Sequence, residues 1–236
     1  MKKLRPSGGY RTLASFQTTT IIYDATVLFC GKFLDARSRT VDQMIQAARS
    51  GRQNIAEGSR ASATSTESEL KLTNVARSSL EELLLDFEDY LRHHRLRLWD
   101  RDSDDTRQVR QKATERSELM ELSDTQRWEL YSHWLENENP EIRINAIICL
   151  IHQANYLLDQ QLRRLEQEFI ERGGYRETLA AARLEYRSKK PDDPSPKCPN
   201  CDGLMSIKTA RSGKSAGSQF WGCCKYPNCT GTLPID

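Results

Sequence analysis

The chain has 236 residues, of which 37% are hydrophobic and 29% charged, a composition typical of a helix-rich globular protein rather than a membrane protein. Its formal net charge of +2 excludes binding to nucleic acid through overall charge alone. The bases are unevenly distributed: four lie in residues 1–12, which contain no acid, and five lie in residues 197–235 beside one acid. We find no secretory signal and no apolar run of bilayer length, and therefore expect a cytoplasmic protein.

After a basic arm at 1–15, two segments repeat their apolar residues at the three- and four-residue spacing of a helix. The first spans about 16–36. The second spans Ser38–Arg60 and is expected to end near Gly58, because glycine commonly ends a helix in a left-handed conformation.

The second segment also carries arginines outside its apolar stripe. A basic helix of this kind either contacts nucleic acid or is the solvated face of a bundle, and the sequence favours neither interpretation. The arginines that would contact nucleic acid are Arg37, Arg39, Arg49, Arg52 and Arg60.

The third predicted helix has the clearest apolar periodicity in the chain. It begins at a capping box, formed either by Thr64 with Glu67 or by Thr66 with Glu69. Its apolar face then continues for roughly 25 residues, to about Leu91.

A fourth helix is predicted to begin at Asn139-Pro140. Asparagine is a favoured N-cap, and proline suits the first helical position because it has no backbone N–H to leave unpaired. The helix is expected to break at Gly173-Gly174, and a short helix over Tyr175–Tyr186 follows.

Between the third and fourth helices the chain is acidic and only weakly periodic. We interpret residues 98–138 as a helical insertion, with helices near 106–121 and 124–138. The second of these carries an aromatic patch that either docks on the bundle, the favoured alternative, or binds a protein partner. The patch consists of Trp128, Tyr131 and Trp134.

The C-terminal region contains cysteines at the spacing of a tetrahedral zinc site. Cys198 and Cys201 form one C-x-x-C pair, and Cys229 forms a second pair with either Cys223 or Cys224. Four thiolates fill the coordination shell, so the Zn²⁺ would be structural, and its binding would supply the folding energy of a region too small for an adequate core. A redox C-x-x-C is disfavoured, because a second pair is present and no βαβ pattern surrounds the first.

Basic and aromatic side chains are interleaved around these cysteines. This mixture suits stacking on single-stranded bases together with contacts to phosphates, although the aromatic residues could instead only cover the small core beside the metal. The candidate residues are Lys208, Arg211, Lys214, Trp221, Lys225 and Tyr226.

These segments predict an all-α fold, an up-and-down four-helix bundle with a helical insertion, plus a small C-terminal β zinc ribbon. A Pro-rich polar stretch would separate the two parts. The predicted domains are the arm at 1–15, the bundle at 16–187 with its insertion at 98–138, the linker at 188–196 and the ribbon at 197–236.

Three groups of residues in the ribbon follow a known pattern: Cys198-Pro199-Asn200-Cys201, Gly213-Lys214 and the run from Phe220 to Cys229. They resemble the C-terminal four-cysteine zinc ribbon of bacterial type IA DNA topoisomerases. The resemblance implies that Cys223 is the ligand, since Cys224 stands where that family usually has serine. It also implies contact with single-stranded DNA, and it covers only residues 197–235.

The bundle carries Arg39-Thr-Val-Asp-Gln-Met, Arg52-Gln-Asn-Ile-Ala-Glu-Gly58 and Ser79-Leu-Glu-Glu-Leu83. These motifs resemble the four-helix-bundle family of ribosomal RNA intervening-sequence proteins, which includes the accessory variability determinants of diversity-generating retroelements. The resemblance covers residues 16–97 and 140–187, and the insertion departs from the compact members. Members of this family form ring-shaped homopentamers with basic surfaces, and the retroelement member binds RNA and its reverse transcriptase. The resemblance therefore implies a homo-oligomeric, non-enzymatic scaffold that binds nucleic acid, with a reverse transcriptase as a candidate partner.

We expect no enzymatic activity. Di-metal bundle enzymes carry Glu-x-x-His pairs that project into the core, and none of the four histidines has a glutamate at that spacing. The expected function is a nucleic-acid-binding accessory or scaffold protein. The alternative is an adaptor that docks a nucleic-acid enzyme through the aromatic patch.

Overall fold

A computed structural model of the chain describes residues 8–114, 122–173, 175–188, 195–210 and 217–235. The chain forms two compact units, Met1–Gly174 and Tyr175–Asp236. The first is helical, and the second contains one helix and a small antiparallel sheet. The predicted fold class, a helical bundle with a small C-terminal β ribbon, is confirmed.

Four long helices enclose the core of the first unit. Its helices are α1 (Ala14–Phe33), α2 (Arg39–Ala61), α3 (Thr66–His93), α4 (Asp104–Thr114), α5 (Asp124–Glu129), α6 (Ser132–Leu135) and α7 (Pro140–Arg172). Helix α1 packs on α2, α2 on α3, α3 on α7 and α7 on α1, so these four close around one core. The short connections between α1, α2 and α3 suit antiparallel neighbours, as in an up-and-down bundle.

Large apolar side chains from all four long helices meet in this core. Phe29 of α1 packs edge-on against Phe87 of α3, with ring centroids 5.3 Å apart. Met44 of α2, Leu80 of α3 and Ile147 of α7 are also buried. Each such side chain stabilises the fold by about 1.5–3 kcal/mol relative to an exposed position, so the core provides most of the favourable free energy of folding.

Side-chain N-caps mark where helices α3 and α7 begin. The predicted capping box of α3 is wrong: Ser65 is the N-cap, and its hydroxyl accepts a hydrogen bond from the backbone N–H of Ser68. The Thr64 hydroxyl instead donates to the carbonyl of Ala61. Helix α7 begins as predicted, with the Asn139 side chain accepting from the backbone N–H of Glu141.

Helix α2 approaches α3 closely at two glycines. A Cβ atom at Gly51 would lie 2.8 Å from Leu80 Cδ2, and one at Gly58 would lie 3.4 Å from the Glu69 carbonyl oxygen. Gly58 is therefore buried inside α2, which continues to Ala61, and the prediction that it ends the helix is wrong. Its role is to leave room for the backbone of α3.

The insertion packs on the bundle. Val109 of α4, Tyr131 before α6, and Trp134 and Leu135 of α6 are buried and belong to the main core, and Trp128 is partly buried against it. The aromatic patch therefore docks on the bundle, and Tyr131 and Trp134 do not form an exposed surface.

The second unit consists of helix α8 and a three-stranded sheet. Its elements are α8 (Tyr175–Ser188), β1 (Met205–Thr209), β2 (Gln219–Cys223) and β3 (Thr232–Pro234). The strands are antiparallel in the order β1-β2-β3. The Ile207↔Trp221 and Trp221↔Leu233 pairs fix the register.

We predict that Gly51→Val lowers the free energy of unfolding by about 1–3 kcal/mol, because the added methyl groups overpack the fully buried Leu80. The measurement is urea denaturation followed by far-UV circular dichroism. Gly31→Val in α1 is the matched control, since a Cβ there has no neighbour within 4 Å. It should change stability by less than about 0.5 kcal/mol. Equal effects of the two substitutions would contradict the close approach of α2 and α3.

Candidate metal centre and nucleic-acid surfaces

Four cysteine sulfur atoms lie together at one end of the sheet. The Sγ atoms of Cys198, Cys201, Cys223 and Cys229 are all within 4.8 Å of one another. Two come from the turn before β1, one from the last residue of β2 and one from the loop before β3. Among the residues that the structure describes, this is the only group of three or more His, Cys, Asp or Glu side chains close enough to hold a metal ion.

The spacing of the sulfur atoms fits a tetrahedral metal site. The Cys198 and Cys229 Sγ atoms are 3.7 Å apart, and those of Cys201 and Cys223 are 3.6 Å apart. A tetrahedron with metal–sulfur bonds of about 2.3 Å has edges of about 3.8 Å, whereas a disulfide needs sulfur atoms about 2.05 Å apart. The four cysteines are free, and their arrangement could hold one metal ion.

Backbone hydrogen bonds hold the ligand turns in shape. The N–H of Asp202 donates to the carbonyl of Cys198 at 2.9 Å, which closes the first turn. The N–H of Cys198 donates to the carbonyl of Gly203 at 2.8 Å, and the N–H of Cys223 donates to that of Gly231 at 2.9 Å. The N–H of Lys225 approaches Cys223 Sγ at 3.4 Å. In the folded ribbon these bonds hold the turns that bring the sulfur atoms together.

The thiols differ in how readily they ionise. A hydrogen bond from the Gly203 backbone, aided by the neighbouring thiols, lowers the pKa of Cys201 to about 7. The backbone N–H of Lys225 favours the Cys223 thiolate, but burial and the surrounding thiols outweigh it and raise the pKa of Cys223 to about 12. A cation at the centre of the cluster would favour the thiolate form of the cysteines, because it offsets the repulsion among their negative charges.

Gly231 belongs to the site although no metal-ligand spacing points to it. A Cβ atom there would lie 2.3 Å from Cys198 Sγ, which no side chain can tolerate. Gly203 is similar, since its Cβ would lie 3.3 Å from Cys201 Sγ. In the sequence, each glycine follows a cysteine ligand by two residues. This spacing alone does not show that the glycines contact sulfur atoms, because those contacts form only in the folded ribbon.

Cys223 and Cys224 are adjacent but lie in different surroundings. Cys223 is buried in the sulfur cluster, whereas Cys224 is outside it and half-buried. The backbone N–H of Cys224 donates to the carbonyl of Leu204 at 3.1 Å. Cys224 is the first residue of the turn after β2, and of the two neighbouring cysteines only Cys223 places its sulfur atom in the cluster.

Trp221 and Lys208, two predicted nucleic-acid contacts, lie on opposite faces of the sheet. Directly paired residues share a face, so Trp221 lies in a row between Ile207 and Leu233, on the face that also holds Cys223. Lys208 pairs with Phe220, and its side chain crosses Gly222 on the other face. The structure therefore does not bring these two contacts together.

Two further ribbon candidates, Tyr226 and Lys225, lie in a loop. Tyr226 is 71% exposed, and Lys225 is exposed with its aliphatic stem beside Gly203. Both lie in the turn between Cys223 and Cys229, close in sequence to the metal ligands. Arg211 and Lys214 lie outside the described residues.

The arginines of α2 point in several directions. Arg49 and Arg60 are exposed and eleven positions apart, about three helical turns, so they share one outer face. Arg52 is half-buried, with its guanidinium 4.3 Å above the ring of Tyr23. Arg39 lines a polar groove with Asp42 of α2 and Glu82 of α3. Arg37 is exposed in the connection between α1 and α2.

Comparisons with known proteins gave no match to a protein family, a curated protein or a solved structure. None of the helices within the described ranges is long and apolar enough to cross a membrane. The candidate sites therefore rest on the geometry of this chain alone.

We predict that Cys223→Ser abolishes metal binding and that Cys224→Ser leaves one metal ion per chain, because only Cys223 belongs to the sulfur cluster. The measurement is metal content by mass spectrometry after expression with added metal and desalting. The two substitutions are matched in chemistry and differ by one position. Loss of metal in Cys224→Ser with retention in Cys223→Ser would reverse the assignment.

Proposed function

We propose that the four cysteines bind one structural Zn²⁺. Four thiolates in a tetrahedron are typical of zinc, and they leave no open position at which a water or a substrate could react. The local core is small: only Cys198, Met205 and Cys223 are fully buried, with Trp221 and Leu233 partly buried against them. Such a core cannot offset the entropy of ordering the ribbon, so metal binding stabilises the fold.

Zinc affinity should fall as the pH falls, because zinc must displace protons from the thiols. With the pKa of Cys223 near 12 and that of Cys201 near 7 in the metal-free site, more than one proton is released at neutral pH. We predict a loss of affinity of about ten-fold or more per pH unit between about pH 7.5 and 6. Competition with a chelator, corrected for its own protonation, measures this. The Cys224→Ser variant should follow the same curve, and an affinity independent of pH would contradict thiolate ligation.

We propose that the protein is a non-enzymatic scaffold that binds single-stranded RNA or DNA. The observation that supports the proposal is the sheet beside the four-cysteine cluster. One of its faces holds Ile207, which is 52% exposed, and the half-buried Trp221, while Tyr226 and Lys225 are exposed in a ligand loop. Aromatic side chains on a small rigid sheet can stack on successive bases without sequence preference.

Charge would contribute less to this contact than stacking. Five bases and one acid give residues 197–235 a formal charge of +4, and a zinc ion with four thiolates, at −2, reduces it to +2. A single ribbon would therefore make few phosphate contacts and bind weakly, with a modest dependence on salt. Several linked ribbons would bind more tightly through their raised effective concentration.

The outer face of α2 is the proposed second contact. Arg49 and Arg60 are exposed there, and the charges on the same helix include Asp42 and Glu57, so the surface is mixed rather than uniformly basic. The resemblance to the intervening-sequence proteins motivates the further proposals of a homo-oligomer, such as a pentamer, and of an accessory role beside a reverse transcriptase. The adaptor alternative has less support, because Tyr131 and Trp134 are buried.

We predict that Tyr226→Ala weakens binding to a labelled single-stranded oligonucleotide by about ten-fold, the loss of one stacked base. Fluorescence anisotropy with RNA and DNA oligonucleotides at two salt concentrations measures this. Tyr186→Ala in α8 is the matched control, since both tyrosines are 71% exposed, and it should bind as the unmodified chain does.

The paired substitution Arg49→Gln with Arg60→Gln tests the second contact in the same assay. It should weaken binding and also reduce its salt dependence, because phosphate contacts are lost. The control is Arg92→Gln with Arg107→Gln, since each of these arginines is exposed and paired with an aspartate on its own helix. Failure of the unmodified chain to bind either oligonucleotide would overturn the proposed function.

A further inference from the structure

A cavity of about 800 Å³ lies in the first unit, between the segment that follows α3, helix α4 and the middle of α7. Its volume is within the range of about 300–1,000 Å³ typical of ligand sites. It is separate from the arginines of α2 and from the ribbon, and the proposed function makes no use of it.

Hydrogen bonds to one buried asparagine hold the wall of this cavity in place. Asn145 of α7 accepts from the backbone N–H of Trp99 at 2.7 Å and donates to the carbonyls of Arg97 and Glu141, each at 2.8 Å. Thr106 of α4 donates from its hydroxyl to a backbone carbonyl of the same segment, at 3.0 Å. The segment that follows α3 is therefore held against both α7 and α4 by hydrogen bonds. These contacts fix the shape of the cavity wall.

The lining offers mainly apolar surface. Ile148 and Cys149 of α7 are buried, while Leu98 is 49% exposed and Tyr156 62% exposed. Asn145 already uses its amide oxygen and both amide hydrogens within the protein. An alkyl or aryl body would cover the exposed Leu98 and Tyr156 and remove their apolar surface from water.

Among the described residues, the charged side chains of the lining are both arginines. Arg101 and Arg110 contribute to it beside His152, and no described carboxylate does. The guanidinium of Arg110 donates only a long hydrogen bond, 3.4 Å, to the carbonyl of Arg101. Within the described part of the chain, neither arginine lies in ion-pair distance of a carboxylate. The rim can therefore receive an anion through charge-assisted hydrogen bonds.

We propose that this cavity binds a small organic acid with an apolar body, such as a medium-chain fatty acid. The apolar chain lies against Ile148 and Leu157, and the carboxylate is held by Arg101 and Arg110. An apolar body in a largely apolar cavity supplies the affinity, and the arginine pair selects the anion over its neutral analogue.

Isothermal titration calorimetry on the full chain tests this with three compounds. Decanoate carries both the body and the charge, decanol carries only the body, and acetate carries only the charge. We expect saturable binding of one decanoate per chain, about ten-fold weaker binding of decanol and no detectable binding of acetate. Equal affinity for decanoate and decanol, or decanoate binding that does not saturate, would overturn the proposal.

Two variants locate the site. Arg101→Gln with Arg110→Gln should weaken decanoate binding about ten-fold or more and leave decanol unchanged. Leu157→Trp, which places a bulky ring where the apolar chain would lie, should weaken the binding of both compounds by about ten-fold or more. The control pair Arg92→Gln with Arg107→Gln removes the same charge from arginines outside the lining and should bind decanoate normally. Decanoate binding that survives both the arginine pair and Leu157→Trp would place the ligand elsewhere and overturn the proposal.

Discussion

The first unit depends on how closely α2 can approach α3. Alanine and glycine occupy the buried stripe of α2 where it crosses α3, and a Cβ atom at Gly51 would already overlap Leu80. Between these small residues α2 contributes Met44 and Ile55 to the centre of the bundle, and large side chains of α1, α3 and α7 fill the rest. The same crossing turns Arg49 and Arg60 away from the core. The proposed basic contact surface is therefore a consequence of the packing of small residues on the opposite side of one helix.

A second constraint organises the ribbon of the second unit, where four cysteines that could hold a metal ion lie beside a small core. The sulfur atoms come from the turn before β1, the end of β2 and the loop before β3. One bound ion would therefore link these three segments to one another. The register that positions Cys223 also positions Trp221 between Ile207 and Leu233 on the same face. Metal binding and the proposed stacking surface are thus coupled: if the ion is lost, the sheet that presents Trp221 loses its main support.

The insertion has two effects on the bundle. Its aromatic residues extend the core, with Tyr131 and Trp134 buried and Trp128 donating its indole N–H to Glu136 at 2.6 Å. Helix α4 meanwhile stands far enough from the middle of α7 to leave a cavity whose lining is basic and apolar. An element that would be dispensable for a four-helix bundle therefore creates the one binding cavity that we assign to a small molecule.

Local sequence patterns were sufficient to predict the positions of the long helices, the start of α7 and the candidate metal ligands. Helical spacing located the four long helices, the Asn139-Pro140 cap located the start of α7, and cysteine spacing restricted the metal ligands to five candidates. These features depend on neighbours within a few residues. The choice of Ser65 as the cap of α3 was decided by competition among adjacent hydroxyl groups, and periodicity cannot resolve that competition.

Tertiary structure decided what depends on distant contacts. Gly58 resembles a helix end in sequence, yet it lies inside α2 because α3 passes against it. Trp221 and Lys208 are both plausible contacts in sequence, yet strand pairing separates them onto opposite faces. The requirement for Gly231 beside Cys198, and the meeting of Arg101 and Arg110 with Ile148 around one cavity, arise between residues far apart in the chain. Composition and residue spacing do not predict such contacts, because these atoms meet only when the chain folds.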